Sequence, residues 1–199
     1  TGTSNTAVGA FSLDANTTGN SNTAVGYLAL TSSTTASFNT AFGYHALEEN
    51  LSNANTGIGY AALAANTTGG FNVALGFGAL TNSTTASDNT GIGHSALAAN
   101  TTGAGNTAVG TSALLSNTTA ASNSAFGTDA LRGNTTGTAN TAIGRAAMYN
   151  SSTGINNTAV GASALNANTT ASNNTAVGKS ALGLNTTGTN NTAIGHNSL

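Results

Sequence analysis

The stretch NTAVGAFSLDANTTGNS, residues 5–21, is followed at once by NTAVGYLALTSSTTASF, residues 22–38, which opens on the same five letters. The opening asparagine returns at Asn39, Asn55, Asn72, Asn89 and onward to Asn191, seventeen residues apart except for one sixteen-residue step between Asn39 and Asn55. A fixed period of this length means that one unit cannot bury its apolar face alone and must stack on its neighbours. The expected fold is therefore all-β, a parallel β-roll (β-solenoid) of about twelve coils that takes in residues 1–199 as one repeat domain. At ~4.8 Å per coil this is a rod roughly 55 to 60 Å long. The last copy stops at Leu199, four positions short of the phase of Thr1, so a segment of a longer array is the expectation.

Numbering each coil from its asparagine as position 1 shows what every position tolerates. Position 2 is Thr in ten of the twelve copies, position 3 is Ala except for Gly57 and Gly91, and position 4 is always Val, Ile, Phe or Leu. Position 5 is Gly in every copy, from Gly9 to Gly195, and position 9 is Leu apart from Met148. The β-branched and aromatic vocabulary of position 4 belongs to buried strand residues, so this column is expected to point into the roll, with the leucines closing the core from the opposite side. The small residues at position 3 are expected to face a tight contact with another chain. Glycine at position 5 marks a corner that needs positive φ or close backbone approach. Positions 6–12, as in YHALEEN (44–50) and HSALAAN (94–100), are rich in helix formers and end on a residue that tolerates a left-handed cap; each coil has room for one short helical turn. The asparagines of position 1 should stack as a ladder of amides that bond one another and satisfy backbone groups at a turn. The short coil should lose its residue in a bend between Glu48 and Ala54, with the columns in register on both sides.

Composition narrows the function classes. Charged residues make up 4% of the chain and the net charge is -2, which leaves no electrostatic basis for binding nucleic acid or an anionic membrane surface. No apolar run is long enough to span a bilayer, so no membrane insertion is expected within this segment. Cysteine is absent, which removes disulfides and thiolate metal ligands. Gly178, Lys179 and Ser180 look like the end of a phosphate-binding loop, but the glycine required five residues earlier is Asn173. GHSAL (93–97) starts like a nucleophile elbow and has Leu97 where the second glycine belongs. His45, His94 and His196 are scattered along the rod, as are Asp14, Glu48, Glu49, Asp88 and Asp129, and Asp129 with Arg132 reads as an exposed turn pair. No catalytic residue, metal site or cofactor is expected, and the chain reads as non-enzymatic.

Two surface columns are candidates for binding. Position 6 carries Tyr27, Tyr44, Tyr60, Phe77 and His94 in consecutive coils, and a row of ring faces at coil spacing could stack on sugars or pack against another chain. Positions 13 and 14 carry the Thr-Thr pairs, from Thr17 and Thr18 to Thr186 and Thr187, a second regular array.

SNTAVGYLAL (21–30) and NNTAIGHNSL (190–199) resemble the Asn-x-Ala-(Val/Ile)-Gly-x-x-(Ala/Ser) repeats in the head domains of trimeric autotransporter adhesins and related bacterial and phage fibre proteins. The likeness covers the whole chain. It implies a left-handed parallel β-roll with three chains side by side, exposed on a cell or virion surface. The function it implies is that of a structural or adhesive extracellular fibre segment, a homotrimer or filament, with a host-surface glycan or protein as a further partner. The alternative is a β-solenoid that binds ice or a crystal surface through Thr or Asn ladders. Such a roll works as a monomer, so oligomeric mass separates the two.

Overall fold

The Thr-Ala-Val segments after each position-1 asparagine are strands. In the computed structural model, which describes residues 1–199, twelve three-residue strands run from β1 (Thr6–Val8) to β12 (Thr192–Ile194) and form one parallel sheet in sequence order. Pairing is position for position throughout, so the chain climbs one coil per repeat as a β-solenoid. The short coil keeps this register: β3 (Thr40–Phe42) pairs with β4 (Thr56–Ile58) through Thr40↔Thr56 and Phe42↔Ile58. The deletion is absorbed at Ser52 to Ala54, where the Asn50 amide donates to the Ser52 carbonyl at 2.7 Å, two residues on, while Asn100 reaches the Gly103 carbonyl three residues on.

The sheet holds only a small part of the ladder. Of 129 backbone–backbone hydrogen bonds, 22 lie within strands; the others tie neighbouring coils together around the rest of the circumference or close turns. Thr101 N–H, for example, donates to Thr118 O at 2.8 Å and Ser95 N–H to Phe77 O at 2.9 Å. This requirement explains why the helix-forming stretch makes no helix. A helical turn would aim each N–H at its own segment, whereas the stack needs N–H groups that point at the next coil. Positions 7 and 9 therefore alternate into the left-handed region, as at Ser95 and Leu97, both with φ 55°, and position 17 does the same. Tight turns result, closed by Ala96 N–H to Gly93 O (3.3 Å) and Asn100 N–H to Leu97 O (3.1 Å). Left-handed leucine costs about 1–2 kcal/mol, which the bond from its N–H to the adjacent coil helps to offset.

The two apolar columns of the strand lie opposite to the sequence expectation. Position 3 lines the interior, with Ala41 and Ala74 fully buried, while position 4 faces out, with Phe42 56% and Leu75 43% exposed. Strand alternation forces these neighbours onto opposite faces, and the width of the roll decides which goes inside. Position 9 leucine already fills the space: a Cβ built on Gly57 would lie 3.1 Å from Leu47 Cγ. Only hydrogen or methyl fits opposite it, so position 3 is small because of packing within the coil. The core is one continuous cluster of the alanines of positions 3 and 8 and the leucines of position 9. At the position-5 corner both reasons for glycine hold: Gly110 has φ 134°, and a Cβ there would lie 2.6 Å from the Gly127 carbonyl.

Two files of buried amides form the polar half of the interior. In the position-1 file, Asn106 Oδ1 accepts from the Asn123 backbone N–H (3.0 Å) and Nδ2 (3.2 Å), and its own Nδ2 donates to Asn89 Oδ1 (3.2 Å) and to Ala120 O (2.8 Å). The position-12 file runs beside it, with Asn117 Nδ2 donating to Asn100 Oδ1 at 2.9 Å and to Ala120 O at 3.0 Å. One carbonyl thus takes a donor from each file, which binds the ladder to the backbone. Where serine replaces asparagine at position 12 the second file breaks: Ser33, Ser83 and Ser151 have unpartnered hydroxyls, and the amide oxygens one coil earlier, on Asn16, Asn66 and Asn134, are unpartnered with them. The structure has no helix long and apolar enough to cross a membrane.

Candidate functional surface

The reversal of positions 3 and 4 turns a presumed core column into the most conspicuous outer feature. Position 4 is apolar in all twelve coils and runs the length of the sheet face; Val8, Phe42, Leu75, Phe126, Ile143, Val177 and Ile194 are the more exposed members. Beside it lies position 2, mostly Thr and without a charge in any coil. The face is about 53 Å tall, eleven steps of ~4.8 Å, and ~13 Å wide at ~3.3 Å per residue, or roughly 700 Å². The whole face approaches the ~800 Å² that each partner contributes to a standard interface, and its apolar position-4 half, about 350 Å², lies in the ~300–600 Å² range of the largest apolar patch on a typical monomer.

Around the corner glycine lies the aromatic file of position 6. Tyr27, Tyr44, Tyr60, Phe77 and His94 are brought together as a continuous stack, with centroid separations of 5.3, 5.4, 4.7 and 5.4 Å and interplanar angles of 19°, 2°, 9° and 11°. Phe11 closes the lower end edge-on to Tyr27 at 5.9 Å. Near-parallel rings this close cover each other's faces, so the file presents ring edges and tyrosine hydroxyls outward. A sugar needs an open ring face to stack on, and Tyr44, Tyr60 and Phe77 have neighbours on both. His45 tilts over Tyr44 at 4.1 Å and pairs with the Glu48 carboxylate.

The opposite margin of the sheet face, position 17, escaped sequence reading altogether. Phe38 and Phe71 stand there, 66% and 68% exposed, with φ 63° and 59°. Their signal was present as alternation in FNTAF (38–42) and FNVAL (71–75), which puts positions 17, 2 and 4 on one side.

The threonine pairs divide into two files of different character. The position-13 hydroxyls donate along the rod, Thr67 Oγ1 to Thr84 O at 3.0 Å and Thr101 Oγ1 to Thr118 O at 3.1 Å, which leaves position 14 as a single freely exposed threonine file. Apart from the His45–Glu48 pair the histidines and acids stay dispersed, and no group of three or more His, Cys, Asp or Glu residues could hold a metal ion. Asp129 and Arg132 meet at 3.4 Å on the surface, with the guanidinium 5.5 Å from the Tyr149 ring centre. The one concavity lies on one side of the last three coils, bounded by Ser163, Asn166, Ser180, Leu184, Asn197 and Leu199. Searches against protein-family models, curated proteins and solved structures find no match to this chain.

Proposed function

We propose that this chain is a structural segment of an extracellular fibre, built from parallel copies that pack side by side through the outward position-4 column, in the manner of a trimeric adhesin head. The observation that carries this reading is the uninterrupted apolar file on the sheet face, which no part of the chain covers. Burying it recovers hydrophobic free energy that a solitary rod forgoes, at ~25 cal/mol per Å². The scarcity of charge points the same way, because copies packed in parallel bring like residues close together; with three Lys or Arg and five Asp or Glu in the chain, little repulsion opposes this. The threefold count and the cell- or virion-surface setting rest on the resemblance of the repeats, and attachment to a host surface would be the task of such a fibre.

Sedimentation equilibrium on the purified protein tests the assembly directly. A mass of three chains that persists on dilution is expected, together with a folded monomer when Ile92, Val109 and Phe126 are replaced by Asn. A wild-type protein that sediments as a folded monomer at all concentrations would refute the proposal.

A further inference from the structure

The two margins of the sheet face, the position-17 residue just before each strand and the position-6 residue just after it, carry matching side chains at three strands of the lower half. Flanking β3 they are Phe38 and Tyr44, flanking β5 (Val73–Leu75) Phe71 and Phe77, and flanking β6 (Thr90–Ile92) Asp88 and His94, while Tyr27 and Tyr60 have the small residues Ser21 and Ala54 across their strands. Beyond β6 position 17 continues as Gly105, Ser122, Ala139 and asparagines, and position 6 as Thr111, Thr128, Arg145, Ala162, Lys179 and His196, with no Phe or Tyr on either side. Nothing within one rod makes the two margins correspond, because the whole width of the strand and the corner glycine separate them around the circumference. Nor does folding of the single chain account for Phe38 and Phe71. Each pairs an unfavourable left-handed backbone with an exposed ring, where the same position elsewhere takes Ser, Ala, Gly, Asn or Asp.

We infer that, in the assembly proposed above, identical copies stand parallel and in register with the position-6 file of one copy packed against the position-17 margin of the next, so that Phe77 meets Phe71 and His94 meets Asp88 of a second copy. The inference rests on that side-by-side packing of parallel copies and adds the pairing of their margins. Rotation about an axis parallel to the rod keeps heights equal and sets one margin against the other; rotation about an axis perpendicular to it turns one rod upside down and sets each margin against itself. Only the first sets Tyr44 against Phe38, Phe77 against Phe71 and His94 against Asp88. It also supplies the Asp88 carboxylate with a donor, the imidazole N–H of His94, at the level where the margins change. The edge-outward stack suits this role, since the positive edges of the rings meet the faces of the phenylalanines opposite.

The chain has no cysteine, so introduced thiols report without background. Phe71→Cys and Phe77→Cys proteins, made separately with different tags, are mixed unfolded, refolded together and joined by a short bifunctional thiol reagent. The expected result is a cross-link between the two differently tagged chains, at least tenfold in excess of links between like chains, and a closed covalent ring from the double variant. Moving one thiol two coils up, to Thr111→Cys with Phe71→Cys, should abolish the link. Like-to-like linkage through Phe77→Cys would overturn the pairing, as would linkage of Phe71→Cys with Thr111→Cys, in each case while sedimentation still shows an assembly. If Cys replacement weakens the margin itself, Asp88→Lys with His94→Glu gives a second reading: each single change should raise the dissociation constant about tenfold and the pair should restore it, whereas equal additive losses would overturn the inference. A protein that sediments as a monomer throughout would instead remove the assembly on which the pairing stands.

Discussion

Replacing Asn106 with Leu, nearly the same size, removes one rung of the buried amide ladder and allows its contribution to be worked out bond by bond. Asn106 is fully buried. Of its four partners three keep a second bond: Asn89 Oδ1 still receives the residue-106 backbone N–H at 2.9 Å, Ala120 O still receives Asn117 Nδ2 at 3.0 Å, and Asn123 Nδ2 still reaches Gly137 O at 2.9 Å. The Asn123 backbone N–H has no other partner and is orphaned in the interior. One orphaned donor costs about 1–3 kcal/mol, and each partial loss adds a fraction of ~1 kcal/mol, for a total of about 3 kcal/mol. In a stack of coils this penalty is local, because each repeat contacts only its neighbours. Native-state hydrogen exchange resolved to single amides is the appropriate assay: the coils on either side of position 106 should lose roughly a hundredfold in protection, while the amide of Asn174, four coils on, keeps its own. Unchanged protection near position 106 would mean that the backbone ladder holds the coil without the amides. A uniform loss along the rod would mean that the stack unfolds as a unit.

Other substitutions probe separate parts of the same structure. Gly110→Val sets a β-branched side chain at φ 134° against the Gly127 carbonyl and should lower the melting temperature by more than ten degrees in circular dichroism; an unchanged melt would deny the corner its role. Ala108→Gln and Val109→Gln are adjacent but should fail differently, the first by unfolding the coil through overpacking and the second by dissociating folded rods, as told apart by circular dichroism and sedimentation run together. Ser83→Asn should repair a broken rung by giving the Asn66 amide oxygen a donor, with a gain of about 1–2 kcal/mol in chemical denaturation; a loss would show that the site is too small for the amide.

Much of the architecture was legible because one rule repeats at every Asn. The period gave the coil, the invariant glycine gave the corner, and the displaced Asn55 located the deletion, which the pairing of Phe42 with Ile58 shows to be absorbed outside the sheet. Which strand face is inside was not legible. Alternation separates Ala108 from Val109, but the choice between them depends on the free width of the roll, set by Leu97 and its equivalents on the far wall, and no local pattern reports that distance. The absent helical turn has a similar cause: propensity in HSALAAN describes an isolated segment, while the demand of the next coil for N–H groups overrules it. At the surface, Tyr27 to His94 were recognisable as a file from spacing alone, whereas ring orientation follows from packing at coil separation. Phe38 and Phe71 were passed over because their column is otherwise small or polar.

The closed ladder of backbone bonds also determines how this rod bears load. Its hydrogen bonds between coils lie along the axis, so tension applied evenly across a cross-section is shared by all the bonds of one coil boundary at once. Tension applied through the chain itself enters at a single point on the circumference and meets those bonds one after another, peeling the terminal coil as a strip. The same molecule is therefore stiff when gripped across its width and weak when pulled by its end. The side-by-side, in-register assembly proposed above would convert the second situation into the first, since a coil held along its sheet face could not unwind without leaving its neighbours.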